Sequence, residues 1–125
     1  MDPVPLVREL CLALPETTER LSHGSPTWFV RGKKTFVSLA DHVHGDAHLA
    51  IWAAAPPGVT AELVAAEPAR FFVPPYVGHR GWLGVRLDLE GDDAVDGEEL
   101  RGIVTDAYRQ VAPRTLVASL PPPEA

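Results

Sequence analysis

The chain has 125 residues, 46% of them hydrophobic, with 17 acidic against 11 basic side chains and a formal net charge of −6. That length suits one domain around one core, and no apolar run approaches the roughly 18–20 residues that cross a bilayer. The acidity argues against tight nonspecific binding to nucleic acid, where phosphate neutralisation dominates affinity, and the single Cys11 excludes an internal disulfide. The start, Met1-Asp2-Pro3-Val4-Pro5, lacks the basic region of a signal peptide, so a cytoplasmic protein is expected.

Residues 4–14 predict a helix, with Leu6, Val7, Leu10, Cys11 and Leu14 on one side, Pro3 and Pro5 in its first turn and Pro15 as its stop. Cys11 reads as a small core residue. Residues 17–23 predict a short polar strand, and His23-Gly24-Ser25-Pro26 a turn. Thr27 to Arg31 alternates, with Trp28 and Val30 on one side. A tight reversal at Gly32-Lys33 or Lys33-Lys34 leads to a strand over Thr35–Ala40. Asp41–Ala47 is a polar loop. Residues 48–55 form the next strand, with Leu49, Ile51 and Ala53 opposite Ala50 and Trp52, so the middle of the chain is an antiparallel meander. Thr60 is placed to cap a short helix over 61–67, with Val59 and Val64 as a hydrophobic staple. Arg70–Val73 predicts a brief strand. Asp96 and Glu99 form a capping box for a last helix over about 97–112, whose apolar face is Leu100, Ile103, Val104, Ala107, Tyr108 and Val111. Thr115–Leu120 reads as a short strand or an extended segment. A single domain over 1–120 and an extended Pro-rich tail over 121–125 are expected.

The stretch Pro74–Asp88 joins a loop of Pro, Gly and aromatic residues to an alternating strand. In 82–89, Leu83, Val85, Leu87 and Leu89 belong to the core by parity, whereas Trp82, Gly84, Arg86 and Asp88 face the other way. Tyr76, His79, Arg80, Trp82 and Arg86 therefore form one candidate contact surface. The aromatic rings suit stacking, and the arginines suit phosphate or carboxylate. A structural role is the competing reading, with Trp82 covering the sheet edge and Arg86 paired to Asp88 or a neighbouring strand.

The order of elements resembles the MmcQ/YjbR-like family of small bacterial proteins. The resemblance is carried by Leu14-Pro15-Glu16-Thr17-Thr18-Glu19, by Trp28 to Phe36, by Pro74 to Asp88 and by the helix around Ala107-Tyr108. It implies an α+β fold with a frataxin/CyaY-like (double-wing) topology: an antiparallel sheet with an N-terminal and a C-terminal helix packed on one face. It also implies DNA as the nominal partner.

Arg31, Lys33 and Lys34 are the second candidate set, three cations around a hairpin tip able to grip a phosphate backbone. Against this, lysines at a turn also discourage edge pairing, and three cations contribute little under salt screening. His42, His44 and His48 with Asp41 and Asp46 invite a metal reading, but their spacing matches no established site, and a polar loop accounts for them. The seven acids of 88–99 exceed the whole net charge. A helix start and a turn explain them, whereas iron binding would rest on fold analogy alone. No metal and no cofactor is therefore expected. Catalysis lacks a signature: Ser22-His23 and Ser25 are adjacent in sequence without being a triad. His79 is the residue an enzyme would use, given a second titratable group within hydrogen-bond reach. The sequence thus predicts a non-catalytic binding module using Arg31, Lys33, Lys34, Tyr76, His79, Arg80, Trp82 and Arg86. Its partner is DNA by resemblance; the alternative is a protein or small-molecule ligand held by the aromatic-basic loop 74–86.

Overall fold

The computed structural model describes residues 2–43 and 47–121. Six strands form one antiparallel sheet: β1 (Thr17–Ser22), β2 (Ser25–Val30), β3 (Lys34–Asp41), β4 (Leu49–Ala53), β5 (Phe71–Phe72) and β6 (Leu83–Arg86), in the order β1-β2-β3-β4-β6-β5. The helices are α1 (Val4–Leu12), α2 (Val59–Ala66), α3 (Gly97–Val111) and α4 (Arg114–Ala118). α1 and α3 pack on each other and on one face of the sheet, while α2 contacts β5. The chain is α+β, as the sequence predicted.

The helix-covered face is apolar for the reason the alternation gave. Trp28, Val37, Ala53 and Leu83 are successive cross-strand partners, as are Leu39, Ile51, Val85 and Phe71. All are buried, against Val7 and Cys11 of α1 and Leu100, Val104, Ala107 and Tyr108 of α3. Burial pushes the Cys11 thiol well above its ordinary range, which leaves it a neutral core residue.

The opposite face carries a second row: Arg20, Thr27, Ser38, Trp52, Gly84 and Phe72 are partners from one edge of the sheet to the other. No helix element of the core layer covers its centre, where Ser38 and Trp52 remain partly exposed. A β-bulge sets this row. Phe29 pairs with Thr35 but Trp28 pairs with Val37, so Phe36 is an extra residue. Phe36 and Val37 both enter the core, the Phe36 ring meeting Tyr108 edge-on at 5.7 Å. Thr35 and Ser38, three residues apart, consequently share the open face.

The motifs that carried the resemblance form a structural network. Glu19 accepts from the indole Nε1 of fully buried Trp28 at 3.0 Å and from Arg8 Nε at 2.8 Å. The Tyr108 hydroxyl donates to Pro15 O at 2.8 Å, and its pKa is raised by burial and then by Glu16. Arg31 donates to Glu16 through Nε at 3.0 Å, and its backbone N–H bonds Glu16 O at 2.8 Å.

Several local expectations are corrected. The first helix ends at Leu12, and the last short element is not a strand: residues 114–118 make a helical turn because Pro113 O accepts from Leu116 and Val117, which inserts Leu116 into the core. Pro26 lies inside β2 rather than in the turn, since pairing with β3 begins only at Thr27 and its missing N–H breaks no ladder there. The turn is His23-Gly24, both at positive φ (52° and 81°), which suits a two-residue hairpin loop. Thr60 does not cap α2. Gly58 holds that position, and the Thr60 hydroxyl instead donates to Gly81 O at 2.7 Å. Asp96 caps α3 by accepting from Glu99 N, but the other half of the box is missing because the Glu99 carboxylate pairs with Arg70. The strand expected over 82–89 is limited to β6, with Leu87 N bonded to Leu49 O beyond it.

Candidate functional site

On the open face lies a cavity of about 780 Å³. β2 and β3 supply a floor of small residues: Thr27, Thr35, Ser38 and Ala40. The β1–β2 turn adds Ser22, His23 and Ser25 at one end, near Val43. Trp52 of β4 and the segment Tyr76, Val77, Arg80 and Trp82 make the opposite wall. The floor is polar but shallow because its side chains are short. Thr27 Oγ1 donates to Ser25 O at 3.1 Å, which leaves its oxygen able to accept.

The loop after β5 is bent over the sheet by local chemistry. Tyr76 and Gly81 take positive φ (66° and 82°), and Gly78–Arg80 forms a single 3-10 turn. Gly78 sits so close to Val73 that a β-carbon would lie 2.5 Å from Cγ1. The Thr60–Gly81 bond ties the loop to α2. Arg80 rests with its guanidinium carbon 5.5 Å from the centroid of the Trp82 ring, within cation–π reach.

Of the sequence-predicted residues, Tyr76, Arg80 and Trp82 meet at this cavity. Trp82 is not a surface residue as its parity implied: it precedes β6 and is only 5% exposed, packed with the core while also lining the cavity. His79 is exposed, does not line the cavity, and has no hydrogen-bond partner among the described residues. Arg86 is held away from it. Its Nη1 donates to Pro68 O and Ala69 O (3.1 and 3.0 Å), and its guanidinium lies 4.9 Å over Phe72. Arg31, Lys33 and Lys34 are exposed at the β2–β3 hairpin, at the opposite end of these strands from the His23-Gly24 turn, and none lines the cavity. Arg31 is already engaged by Glu16.

Of the two structural partners considered for Arg86, Asp88 or a neighbouring strand, Asp88 is taken elsewhere. It accepts from Leu49 N at 2.9 Å and lies 3.0 Å from His48 Nδ1. Burial raises its pKa, but the Leu49 N–H and His48 outweigh that and hold it below the usual range. His44 and Asp46, and with them the shared face of His42 and His44, lie outside the described residues; His42 pairs with Asp41. Among the described residues no three His, Cys, Asp or Glu side chains gather as a metal site.

Sequence reasoning missed the floor and Trp52. Trp52 was legible by its parity opposite Ile51. Thr27 was likewise legible opposite Trp28, but Thr35 and Ser38 were not, because the bulge at Phe36 shifts the alternation between them.

The YjbR family model matches residues 12–110. The crystal structure of Deinococcus radiodurans protein DR2400, which carries a DUF419 domain, superposes with a TM-score of 0.66 at 19% identity, over 84% of this chain and 75% of that one. No curated protein matches the sequence. At that identity the structural likeness speaks to the fold, and the matched span, which runs from the end of α1 through nearly all of α3, identifies the family: the chain belongs to the YjbR family.

Proposed function

We propose that this YjbR-family chain is a binding module for a small organic molecule, held on the open face of the sheet. The observation that carries the reading is the cavity itself. Its volume of about 780 Å³ falls within the roughly 300–1,000 Å³ of small-molecule sites. Its wall is aromatic and its floor offers hydroxyls, the combination of apolar area and few polar groups that such sites use. A concave site of this size fits a ring system better than a duplex.

DNA, the partner implied by family resemblance, draws less support. Of the candidate cations, Arg31 is paired to a carboxylate and Arg86 to backbone carbonyls. Lys33 and Lys34 stand apart from the aromatic wall, and the net charge is −6. Phosphate binding needs several cations acting together.

The test is a two-dimensional ¹⁵N NMR titration with a set of small aromatic compounds and, separately, a DNA duplex at low and high salt. Shifts should appear for the amides of Ser38 and Trp82 and the Trp52 indole with members of the small-molecule set. The reading fails if no compound perturbs those signals, or if only DNA binds, with salt-sensitive shifts centred on Lys33 and Lys34.

A further inference from the structure

The cavity wall has a charge character that its size does not require. The chain holds 17 acidic residues, yet among the described residues no Asp or Glu lines the cavity. Arg80 does, with His23 at the far rim. The other arginines near the sheet are occupied. Arg8, Arg31 and Arg70 sit on carboxylates, Arg20 donates to Gly32 O, and Arg86 donates to the Pro68 and Ala69 carbonyls. Arg80 has no hydrogen-bond acceptor among the described residues, only the Trp82 ring. An acidic protein thus sets one uncommitted guanidinium beside the Trp82 ring, in a recess whose described lining holds no carboxylate.

Resting on the cavity reading above, we propose that the molecule bound there is an aromatic monocarboxylate. Its ring packs on the wall formed by Trp52 and Trp82, its carboxylate meets Arg80, and Ser38 and Thr35 serve polar groups on the ring. A guanidinium fork matches a carboxylate with two parallel hydrogen bonds. One such charge balances a monoanion, whereas a phosphate dianion would leave charge uncompensated against apolar walls. A cationic ligand would meet repulsion from Arg80, with no carboxylate among the described lining residues to offset it.

The three tryptophans provide the readout. Trp52 and Trp82 line the cavity, while the Trp28 indole is buried on the other face and bonded to Glu19, so its Nε1 signal reports only global change. The probes are indole-3-acetate, indole-3-acetamide and tryptamine, which share a ring and differ in charge. The acetate should shift the Trp52 and Trp82 indole signals, leave Trp28 in place, and bind about 10-fold more tightly than the amide, since Arg80 stays partly solvated. Tryptamine should bind most weakly. Arg80→Gln should bring the acetate down to the affinity of the amide, and Arg80→Lys should recover part of the difference. Equal binding of acetate and amide overturns the charge assignment while leaving the cavity reading standing. An acetate preference untouched by Arg80→Gln overturns the role of Arg80. Absence of shifts at Trp52 and Trp82 with all three overturns both.

Discussion

Gly84 lies within β6, and the space a β-carbon would occupy there is taken by a ring. A β-carbon there would lie 2.5 Å from Cε2 and Cζ of Phe72 and 2.6 Å from Cδ2. Ordinary carbon contacts begin near 3.5 Å, so Gly84→Ala forces the ring about 1 Å outward. Phe72 belongs to a two-residue edge strand and is covered by Arg86 at 4.9 Å, so both must shift together. Overpacking of this kind costs about 1–3 kcal/mol. The backbone φ of Gly84 is not in the left-handed region, so the substitution also gains ~0.4–1 kcal/mol from the unfolded chain. The net expectation is a loss of about 1–2 kcal/mol, or roughly 0.5–1 M in the urea midpoint at an m-value near 2 kcal/mol/M. Chemical unfolding followed by tryptophan fluorescence measures it. The decisive comparison is the same substitution in a Phe72→Ala background, where the clash is gone and Gly84→Ala should be neutral or stabilising. An equal loss in both backgrounds, or none in the wild type, refutes the argument that Gly84 exists to seat this ring.

Thr60→Val removes the hydroxyl that holds Gly81 O at 2.7 Å; a loss of about 1 kcal/mol is expected, with faster amide exchange over residues 77–82 than over β2, and uniform exchange across both would count against a tether. Asp88 has a depressed pKa, so its contribution to stability is complete above the unfolded value of about 3.9 and is lost as pH falls through the lower folded value. Asp88→Asn should therefore be less stable than wild type at pH 7, and the difference should shrink as pH falls below about 3.9; a pH-independent difference in thermal midpoint would show that the carboxylate charge is irrelevant.

The fold was legible because its core obeys simple periodicity. Trp28 and Val30, Ile51 and Ala53, and Leu83 and Val85 all face the helices as alternation required, and α3 buries the stripe that its spacing announced. Residues 115–120 were not legible, since they include β-forming residues but the Pro113 carbonyl draws the Leu116 and Val117 N–H groups into a helical turn. The cavity was half legible. Aromatic and basic residues close in sequence marked the wall through Tyr76, Arg80 and Trp82. Cations that look free in a sequence can be consumed by distant groups, as Arg31 is by Glu16 and Arg86 by the Pro68 and Ala69 carbonyls. Short serines and threonines scattered over two strands give no local signal.

The extra residue at Phe36 has a consequence beyond packing. It works as a frameshift in the reading of β3: one parity holds up to Thr35 and the other from Val37 onward. A family member one residue shorter in this segment cannot keep both hydroxyls on the open side and both large side chains inside. It must change the polarity of either the hairpin half or the distal half of the strand. The length of this one segment therefore sorts relatives into those able to share this cavity floor and those that must build a different one.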